Sequence, residues 1–151
     1  FVDMNMPQLN LPNVVLKTKL VEGTTQVFDA VRKKYLVLTP EEWVRQHFIH
    51  YLNLEKNYPL GLMGVEKTVK YNSMQTRADI VLYTSEGKPN MIVECKAPKV
   101  KITQDAFNQI AKYNSQLKVK YLLVTNGMNH YCCKMDYESN RITFLEEIPS
   151  Y

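Results

Sequence analysis

The sequence has few cysteines, and their spacing fits neither a disulfide framework nor a zinc site. There are three, Cys95, Cys132 and Cys133. An odd number cannot pair completely, and the adjacent pair lacks the CxxC spacing of zinc sites and redox motifs. We therefore expect three buried thiols with neither a disulfide nor zinc, as suits a reducing compartment.

Long apolar runs are also lacking. No stretch of the sequence approaches the roughly 18 apolar residues of a membrane span. The first residues do not show the basic segment, apolar run and small-residue site of a signal peptide. We expect a cytoplasmic protein with no membrane partner.

A strong excess of one charge is absent as well. The chain has 19 lysines and arginines against 15 acidic residues, which gives a formal net charge of +4 and a pI of about 8.9. This mildly basic balance favours a polyanionic partner such as DNA, but many proteins without such a partner carry as much charge. Charge alone leaves the partner open.

What the chain does have is the composition of a folded domain, with 45% hydrophobic and 23% charged residues. Its 151 residues suffice for one domain with its own core and are too few for two ordinary ones. Residues 1–25 contain Pro7, Pro12 and few periodic apolar positions, which predicts an irregular N-terminal arm. We expect a single domain over residues 26–151.

A helix is predicted over residues 40–54. Thr39 can cap it, Pro40 suits its first position, and Glu42 stands where a capping box requires it. Apolar residues recur at helical spacing and predict one buried stripe: Val44, Phe48, Tyr51 and Leu52. A second helix is predicted over 103–117, capped by Thr103.

Strands fill most of the remaining chain. A short strand-like piece covers residues 34–38, and three strands at 64–71, 77–83 and 91–97 read as a meander. After the second helix come further strands, in "KYLLVTNG", "HYCCKMDY" and "RITFLEE". Because a helix between strands can serve as a crossover, we predict an α/β fold with a mixed central sheet flanked by helices.

The stretch "RADIVLYTSEGKPNMIVECKAPK" places charged residues inside two apolar strands. Side chains alternate along a strand, so Glu94 and Lys96 must share one face. If the turn pairs Tyr83 with Asn90, Asp79 lies directly opposite Glu94. A shift of two in the register would put Asp79 opposite Lys96 on the same face, whereas a shift of one would break the cluster.

Carboxylates that face each other across a hairpin repel, unless a positive charge lies between them. Oxygen ligands favour a hard divalent cation such as Mg²⁺, and Lys96 could then orient a water molecule or neutralise charge in the transition state. The alternative is that Asp79 caps a strand while Glu94 and Lys96 form a weak surface salt bridge. Spacing alone leaves both interpretations open.

The series Asp79, Glu94, Cys95 and Lys96 resembles the motif of the PD-(D/E)XK nuclease superfamily, with Ala78 in place of its leading proline. The second predicted helix carries "QIAKY", which resembles the QxxxY motif of the RecB-like branch and of type I restriction enzyme R subunits. The first carries "TPEEWVRQHF". The similarity runs from about residue 35 to residue 131, and it is closest to the N-terminal nuclease domain of the R subunits.

This resemblance implies a restriction-endonuclease-like core and a metal-dependent DNA endonuclease. Asp79 and Glu94 would hold Mg²⁺, for which Mn²⁺ can substitute, with the backbone carbonyl of Cys95 as a further ligand. Lys96 would complete the catalytic set. Glu42 has two interpretations, either a capping-box residue or the counterpart of a glutamate that contacts metal through water in some relatives.

The resemblance also implies partners. Gln109 and Tyr113 would position DNA or the catalytic lysine. Arg77 and Lys112, and beyond the site Lys99 and Lys101, could contact phosphates of double-stranded DNA. Other restriction-modification subunits or a second copy of the chain are further candidates. No GxxxxGK[ST] loop occurs in these residues, so no helicase motor is expected here.

Two other functions remain open from the sequence. The fold could serve as a catalytically silent DNA-binding or assembly module, although a binding role would not require the complete set of Asp79, Glu94 and Lys96. The basic charge could also be incidental to a protein that has no DNA role.

Overall fold

The computed structural model describes residues 6–151, which form two β-sheets and two α-helices. The elements follow in the order β1 Thr18–Val21, β2 Thr24–Asp29, β3 Lys34–Val37, α1 Pro40–Leu54, a short 3-10 turn Leu60–Leu62, β4 Met63–Tyr71, β5 Met74–Tyr83, β6 Pro89–Cys95, α2 Gln104–Ser115, β7 Tyr121–Thr125, β8 His130–Asp136 and β9 Arg141–Leu145.

The first three strands form an antiparallel sheet in the order β1-β2-β3. Glu22 and Gly23 join β1 to β2, and both have positive φ, 49° and 79°. Two such residues make the tight hairpin turn that suits the twist of the flanking strands. The expected irregular arm is therefore wrong for residues 18–25, and its residues 1–5 lie outside the described part of the chain.

Both predicted helices are confirmed, and both caps form as their sequences require. The Thr39 side chain accepts a hydrogen bond from the Glu42 backbone N–H at 3.1 Å, and the Thr103 side chain accepts one from Ala106 at the same distance. These bonds satisfy N–H groups that a helix leaves without internal partners.

The buried surface of α1 is wider than the predicted stripe. Every residue from Glu42 to Ile49 is buried. The large sheet covers one side of the helix, while the N-terminal segment covers another, where Trp43 Nε1 donates to the Pro7 carbonyl at 2.9 Å. A single-sided amphipathic pattern could not reveal this second contact, because it is made by a segment with little periodicity of its own.

The second sheet has six strands in the order β4-β5-β6-β7-β8-β9. Strands β6 and β7 are parallel and every other neighbouring pair is antiparallel. Helix α2 is the crossover between the two parallel strands, as a parallel pair requires. One core cluster joins α1 to the sheet and another joins α2 to it, so the helices cover opposite faces. The predicted mixed α/β fold is confirmed.

The cysteines are free and buried, as expected. None of the helices within residues 6–151 is long and apolar enough to cross a membrane.

Gly127, in the turn between β7 and β8, anchors the N-terminal segment. Its φ is +84°, where glycine is favoured, and its carbonyl accepts a hydrogen bond from the Asn10 backbone N–H at 2.9 Å. A Cβ added to Gly127 would lie 2.8 Å from Leu9 Cδ2. The backbone conformation and the close approach of Leu9 both require glycine here.

We expect Gly127→Ala to lower the free energy of unfolding by about 2–3 kcal/mol, since it combines a left-handed backbone with an overpacked contact. The matched control is Gly87→Ala, whose φ is +81° but whose added Cβ would meet nothing within 4 Å. It should cost only about 1 kcal/mol. Urea denaturation of the three proteins measures both values. Equal losses would show that Leu9 moves aside freely.

Candidate active site

Asp79 and Glu94 meet across the β5–β6 hairpin. The strands pair Ile80 with Val93 and continue in the same register to Leu82. This register places Asp79 opposite Glu94, and the two carboxyl groups lie close enough for each to shift the pKa of the other. The assumed pairing of Tyr83 with Asn90 is wrong, because an irregularity between Leu82 and Tyr83 pairs Tyr83 with Pro89 instead. The predicted register nevertheless holds at the site.

Both carboxyl groups hold protons more tightly than free side chains do. Burial, followed by the negative charge of Asp79, raises the pKa of Glu94 to about 8. Burial also raises the pKa of Asp79, against the opposing effects of the Cys95 N–H and Arg45. Near neutral pH the positive charges around the pair therefore do not fully offset the cost of burying two negative carboxylates.

A break in the sheet lies beside the pair. Glu66 has φ +52° inside β4, and pairing between β4 and β5 is interrupted at Glu66 and Asp79 while the register stays the same on either side. Val65 packs in the core cluster of α1, whereas Val69, four residues further along β4, packs in that of α2. Side-chain alternation therefore reverses at this point. A left-handed non-glycine residue in a strand is costly and tends to occur at functional sites.

Arg45 lies at the centre of the acidic cluster. Its guanidinium donates to both oxygens of Glu42, at 3.0 and 2.5 Å, to Glu66 at 3.1 Å and to Asp79 at 3.2 Å. Burial alone would lower the pKa of Arg45, but the surrounding carboxylates, above all Glu42, raise it. Arg45 is therefore a permanent cation that compensates three acids.

The cluster extends to the first sheet through Arg32. Arg32 Nε donates to Asp29 at 2.9 Å, and the guanidinium lies 3.9 Å from both Glu42 and Glu66. Partial burial would raise the pKa of Glu66, but Arg45, Arg32 and then Arg77 hold it below its usual value. The turn between β2 and β3 thus belongs to the surroundings of the site.

Asp79 is held by two donors. Arg45 Nη1 donates to Oδ1 at 3.2 Å, and the Cys95 backbone N–H donates to Oδ2 at 2.8 Å. One donor comes from a helix and the other from the neighbouring strand, so the carboxylate is oriented before any ligand binds. Such preorganisation lowers the cost of ligand binding.

Lys96 and Glu41 complete the electrostatic surroundings. Lys96 is half-buried, and its positive charge acts on Asp79, Glu94 and Glu41. Partial burial and the charge of Asp79 raise the pKa of Glu41, which lies in the first turn of α1. Glu41 therefore belongs to the site, although the sequence drew attention to its neighbour Glu42.

Glu42 forms its hydrogen bonds with the Thr39 cap and with residues of α1 itself. Its backbone N–H meets the Thr39 cap, while its side chain accepts from Arg45 and from Gln46 Nε2 at 3.0 Å. The Thr39 half of the expected capping box is therefore present. The Glu42 carboxylate touches Arg45 and not the Asp79–Glu94 pair, so its contribution to the site passes through Arg45.

Gln109 and Tyr113 line the same hollow as Glu94, a cavity of about 270 Å³ on the α2 side of the sheet. The Tyr113 hydroxyl donates to the Gln75 carbonyl at 2.6 Å, which ties α2 to β5. The four-residue spacing thus places both side chains at the same hollow as the predicted site residue Glu94.

The other predicted phosphate contacts are spread over the surface. Arg77 is exposed and bound to Glu66 at 2.5 Å. Lys112 is exposed on α2 and lines a separate hollow, between that helix and the β8–β9 hairpin. Lys99 and Lys101 are exposed after β6. The structure does not bring these four cations together.

Within residues 6–151, no group of three or more histidine, cysteine, aspartate or glutamate side chains is placed to hold a metal ion. Two carboxylates meet, and the predicted third ligand, the Cys95 carbonyl, is a backbone group that such a cluster does not include. Oxygen donors in this number suit Mg²⁺, which keeps several waters when proteins bind it.

Sequence reasoning missed three residues of this site, namely Arg45, Glu66 and Glu41. The signal for Arg45 was its position three residues after Glu42, where helical side chains meet. Glu66 carried no such signal, because its contact depends on an unusual backbone conformation. Glu41 was not singled out, because capping-box logic selects the third residue after the cap, which is Glu42.

A family model and a solved structure are both similar to this chain. The family model described as the N terminus of the type I restriction enzyme R protein matches residues 40–149. No curated protein sequence matches the chain. Among solved structures, the chain is similar to a fragment of a protein assigned as an HsdR subunit of a type I restriction enzyme from Vibrio vulnificus YJ016, with a TM-score of 0.52 and 23% identity. The match covers 75% of this chain and 24% of the other, so this chain spans about a quarter of the length of that fragment.

Proposed function

The chain belongs to the family of type I restriction enzyme R protein N termini, and from that premise we propose that it is a metal-dependent DNA endonuclease domain of the PD-(D/E)XK superfamily. It hydrolyses phosphodiester bonds of double-stranded DNA. Asp79, Glu94 and Lys96 form the catalytic set, in the order that the superfamily motif requires.

The observation that carries this proposal is the strand register that places two partly buried acids, Asp79 and Glu94, opposite each other, where the charge of Lys96 acts on both. Two buried acids in contact destabilise a protein unless a proton or a cation joins them. A fold with no use for a cation gains nothing from this pair. Perturbed carboxyl groups clustered beside a hollow are typical of functional sites.

The donor set fits a hard divalent cation. Asp79, Glu94 and the Cys95 carbonyl would hold Mg²⁺ or Mn²⁺, and the negative charge of Glu41 would add to the attraction for the cation. When bound, such a cation lowers the pKa of a water molecule and polarises the phosphodiester. Glu42 would not bind the cation, because both of its carboxylate oxygens accept hydrogen bonds from Arg45.

The other residues of the site position the DNA and stabilise the transition state. Lys96 donates hydrogen bonds to the attacking water or to the scissile phosphate, where it offsets the negative charge that develops. Gln109 and Tyr113 border the Glu94 hollow and orient the DNA backbone there. Arg77, Lys112, Lys99 and Lys101 supply weaker, sequence-independent phosphate contacts. Other restriction-modification subunits, or a second copy of the chain, are further partners.

One observation favours a second candidate, a catalytically silent DNA-binding or assembly module. Both oxygens of Asp79 already accept hydrogen bonds from Arg45 and Cys95. In a silent module these donors would hold the acid permanently, and no cation would bind.

Cleavage of supercoiled plasmid DNA separates the two candidates. With Mg²⁺ or Mn²⁺, we expect cleavage by the wild type and a loss of about 100-fold or more in Asp79→Asn and in Lys96→Met. EDTA should abolish it. Lys88→Met removes an exposed lysine of the β5–β6 turn and serves as the matched control. Cleavage that persists in both site variants contradicts the assignment, and binding without cleavage by the wild type supports the silent module.

A further inference from the structure

The first sheet carries a second surface of distinct chemistry. Its outer face, as we call it, consists of six residues from the three strands: Lys17, Lys19, Gln26, Phe28, Tyr35 and Val37. The register places Phe28 opposite Tyr35 and Gln26 opposite both Lys19 and Val37, and the Phe28 N–H bonds the Lys17 carbonyl at 2.8 Å. These residues lie outside the part of the chain that the family model matches.

Two aromatic rings form the centre of the outer face. The Phe28 and Tyr35 centroids lie 5.2 Å apart, and both side chains are half-buried, so part of each ring reaches solvent. The opposite face of the sheet holds Val27, which is completely buried and packs in the α1 core cluster. The rings are therefore not needed to fill the core.

Lysines border both rings. Lys17 Nζ lies 4.9 Å from the Phe28 centroid, and Lys19 Nζ lies 4.1 Å from the Tyr35 centroid. The acids of this sheet point elsewhere, because Glu22 is in the hairpin turn and Asp29 is buried under Arg32. The outer face thus combines aromatic rings with the positive charges of two exposed lysines.

We propose that the outer face of the β1–β3 sheet is a binding platform for single-stranded nucleic acid. Exposed aromatic rings accept stacked bases of any sequence, and lysines beside them pair with the backbone phosphates. A duplex keeps its bases inside and cannot use the rings. The lysines now over the rings are exposed, so they can swing to a phosphate when a base takes their place.

The position of the platform extends this argument. Asp29 and Arg32 stand at the end of the strands that carry Phe28 and Tyr35, and Arg32 lies 3.9 Å from Glu42 and Glu66. Both of these acids accept hydrogen bonds from Arg45, and Arg45 also donates one to Asp79. A single-stranded nucleic acid bound to the platform can therefore extend from the end of these β-strands toward the proposed catalytic carboxylates.

Fluorescence anisotropy with a labelled oligo(dT) of roughly 15 nucleotides tests the platform. The measurement uses the full chain in EDTA, where no cleavage occurs. We expect Phe28→Leu and Tyr35→Leu each to raise Kd by about 5-fold or more, with an unchanged salt dependence, because they remove stacking and keep the charges. Unchanged circular dichroism verifies folding.

The lysines give a different signature. Lys17→Gln combined with Lys19→Gln should reduce the slope of log K against log salt concentration by about 1.4, since each phosphate that a lysine neutralises contributes roughly 0.7 to that slope. Lys88→Gln, the exposed control, should leave the slope unchanged. Duplex DNA should bind more weakly than oligo(dT) and should be insensitive to Phe28→Leu.

Several outcomes would overturn the platform. These are the absence of oligo(dT) binding, binding that Phe28→Leu and Tyr35→Leu leave unaltered, and a wild-type dimer that Phe28→Leu dissociates, which would make the face a contact between copies. The assay in EDTA measures binding without a metal ion and without cleavage. The platform and the nuclease proposal can therefore fail separately.

Discussion

Glu94→Gln is expected to make the cation-free protein more stable than the wild type at pH 8, although it removes a proposed catalytic group. The pKa of Glu94 is raised from 4.5 to about 8 by burial and by Asp79. Between these values the folded protein keeps a proton that the unfolded chain has lost. Its free energy of unfolding therefore falls as pH rises, by up to about 1.4 kcal/mol per pH unit. Glutamine stays neutral and escapes this loss.

Urea denaturation in EDTA at several pH values between 5 and 9, within the range where these groups titrate, measures the difference. The stability of the wild type should decline toward pH 8 and then level off, while that of Glu94→Gln stays nearly flat. Glu86→Gln, in the exposed β5–β6 turn, is the matched control and should follow the wild type. Parallel profiles for Glu94→Gln and the wild type would mean that the Glu94 carboxyl is hydrated.

The same pair of proteins reports on the cation. Mn²⁺ or Mg²⁺ should raise the melting temperature of the wild type at pH 8 and leave that of Glu94→Gln nearly unchanged, because a ligand stabilises only the folded state that binds it. This result would support the metal site without any activity measurement.

Arg45→Met is expected to lower the free energy of unfolding by about 3–5 kcal/mol at pH 7. Methionine keeps much of the buried volume but supplies no charge. Glu42, only 5% exposed, and Asp79 would then be left as buried acids without their cation. Breaking a buried ion cluster by removing one sign of charge is among the most destabilising single changes.

Arg77→Met is the matched control, because Arg77 binds the same Glu66 as Arg45 does but has a side chain that is 68% exposed. Exposed ion pairs contribute at most about 1 kcal/mol. Urea denaturation compares the two. Adding Glu42→Gln to Arg45→Met should restore part of the loss, since it removes one unpaired acid. A loss in Arg45→Met no larger than that in Arg77→Met would contradict the role of Arg45 as the central cation.

The site was largely predictable where it depended on strand periodicity. Alternation alone places Glu94 and Lys96 on one face, whereas the turn signals left the register open, with Asp79 opposite Glu94 in one register and opposite Lys96 in another. The helix starts were predictable for a similar reason, since Thr39 and Thr103 cap through bonds to residues three positions away.

The sequence by itself therefore determined the elements that local rules control: the two capped helices, the strands of the α/β fold and the shared face of Glu94 and Lys96. Only the tertiary structure decided that Asp79 lies opposite Glu94, that Arg45 joins Glu42, Glu66 and Asp79, and that Val27 of the first sheet packs in the core cluster of α1. Arg45 and Asp79 are 34 positions apart. Contacts across such a separation depend on how helix and sheet pack and on a left-handed residue in β4, and no short-range pattern encodes either of these.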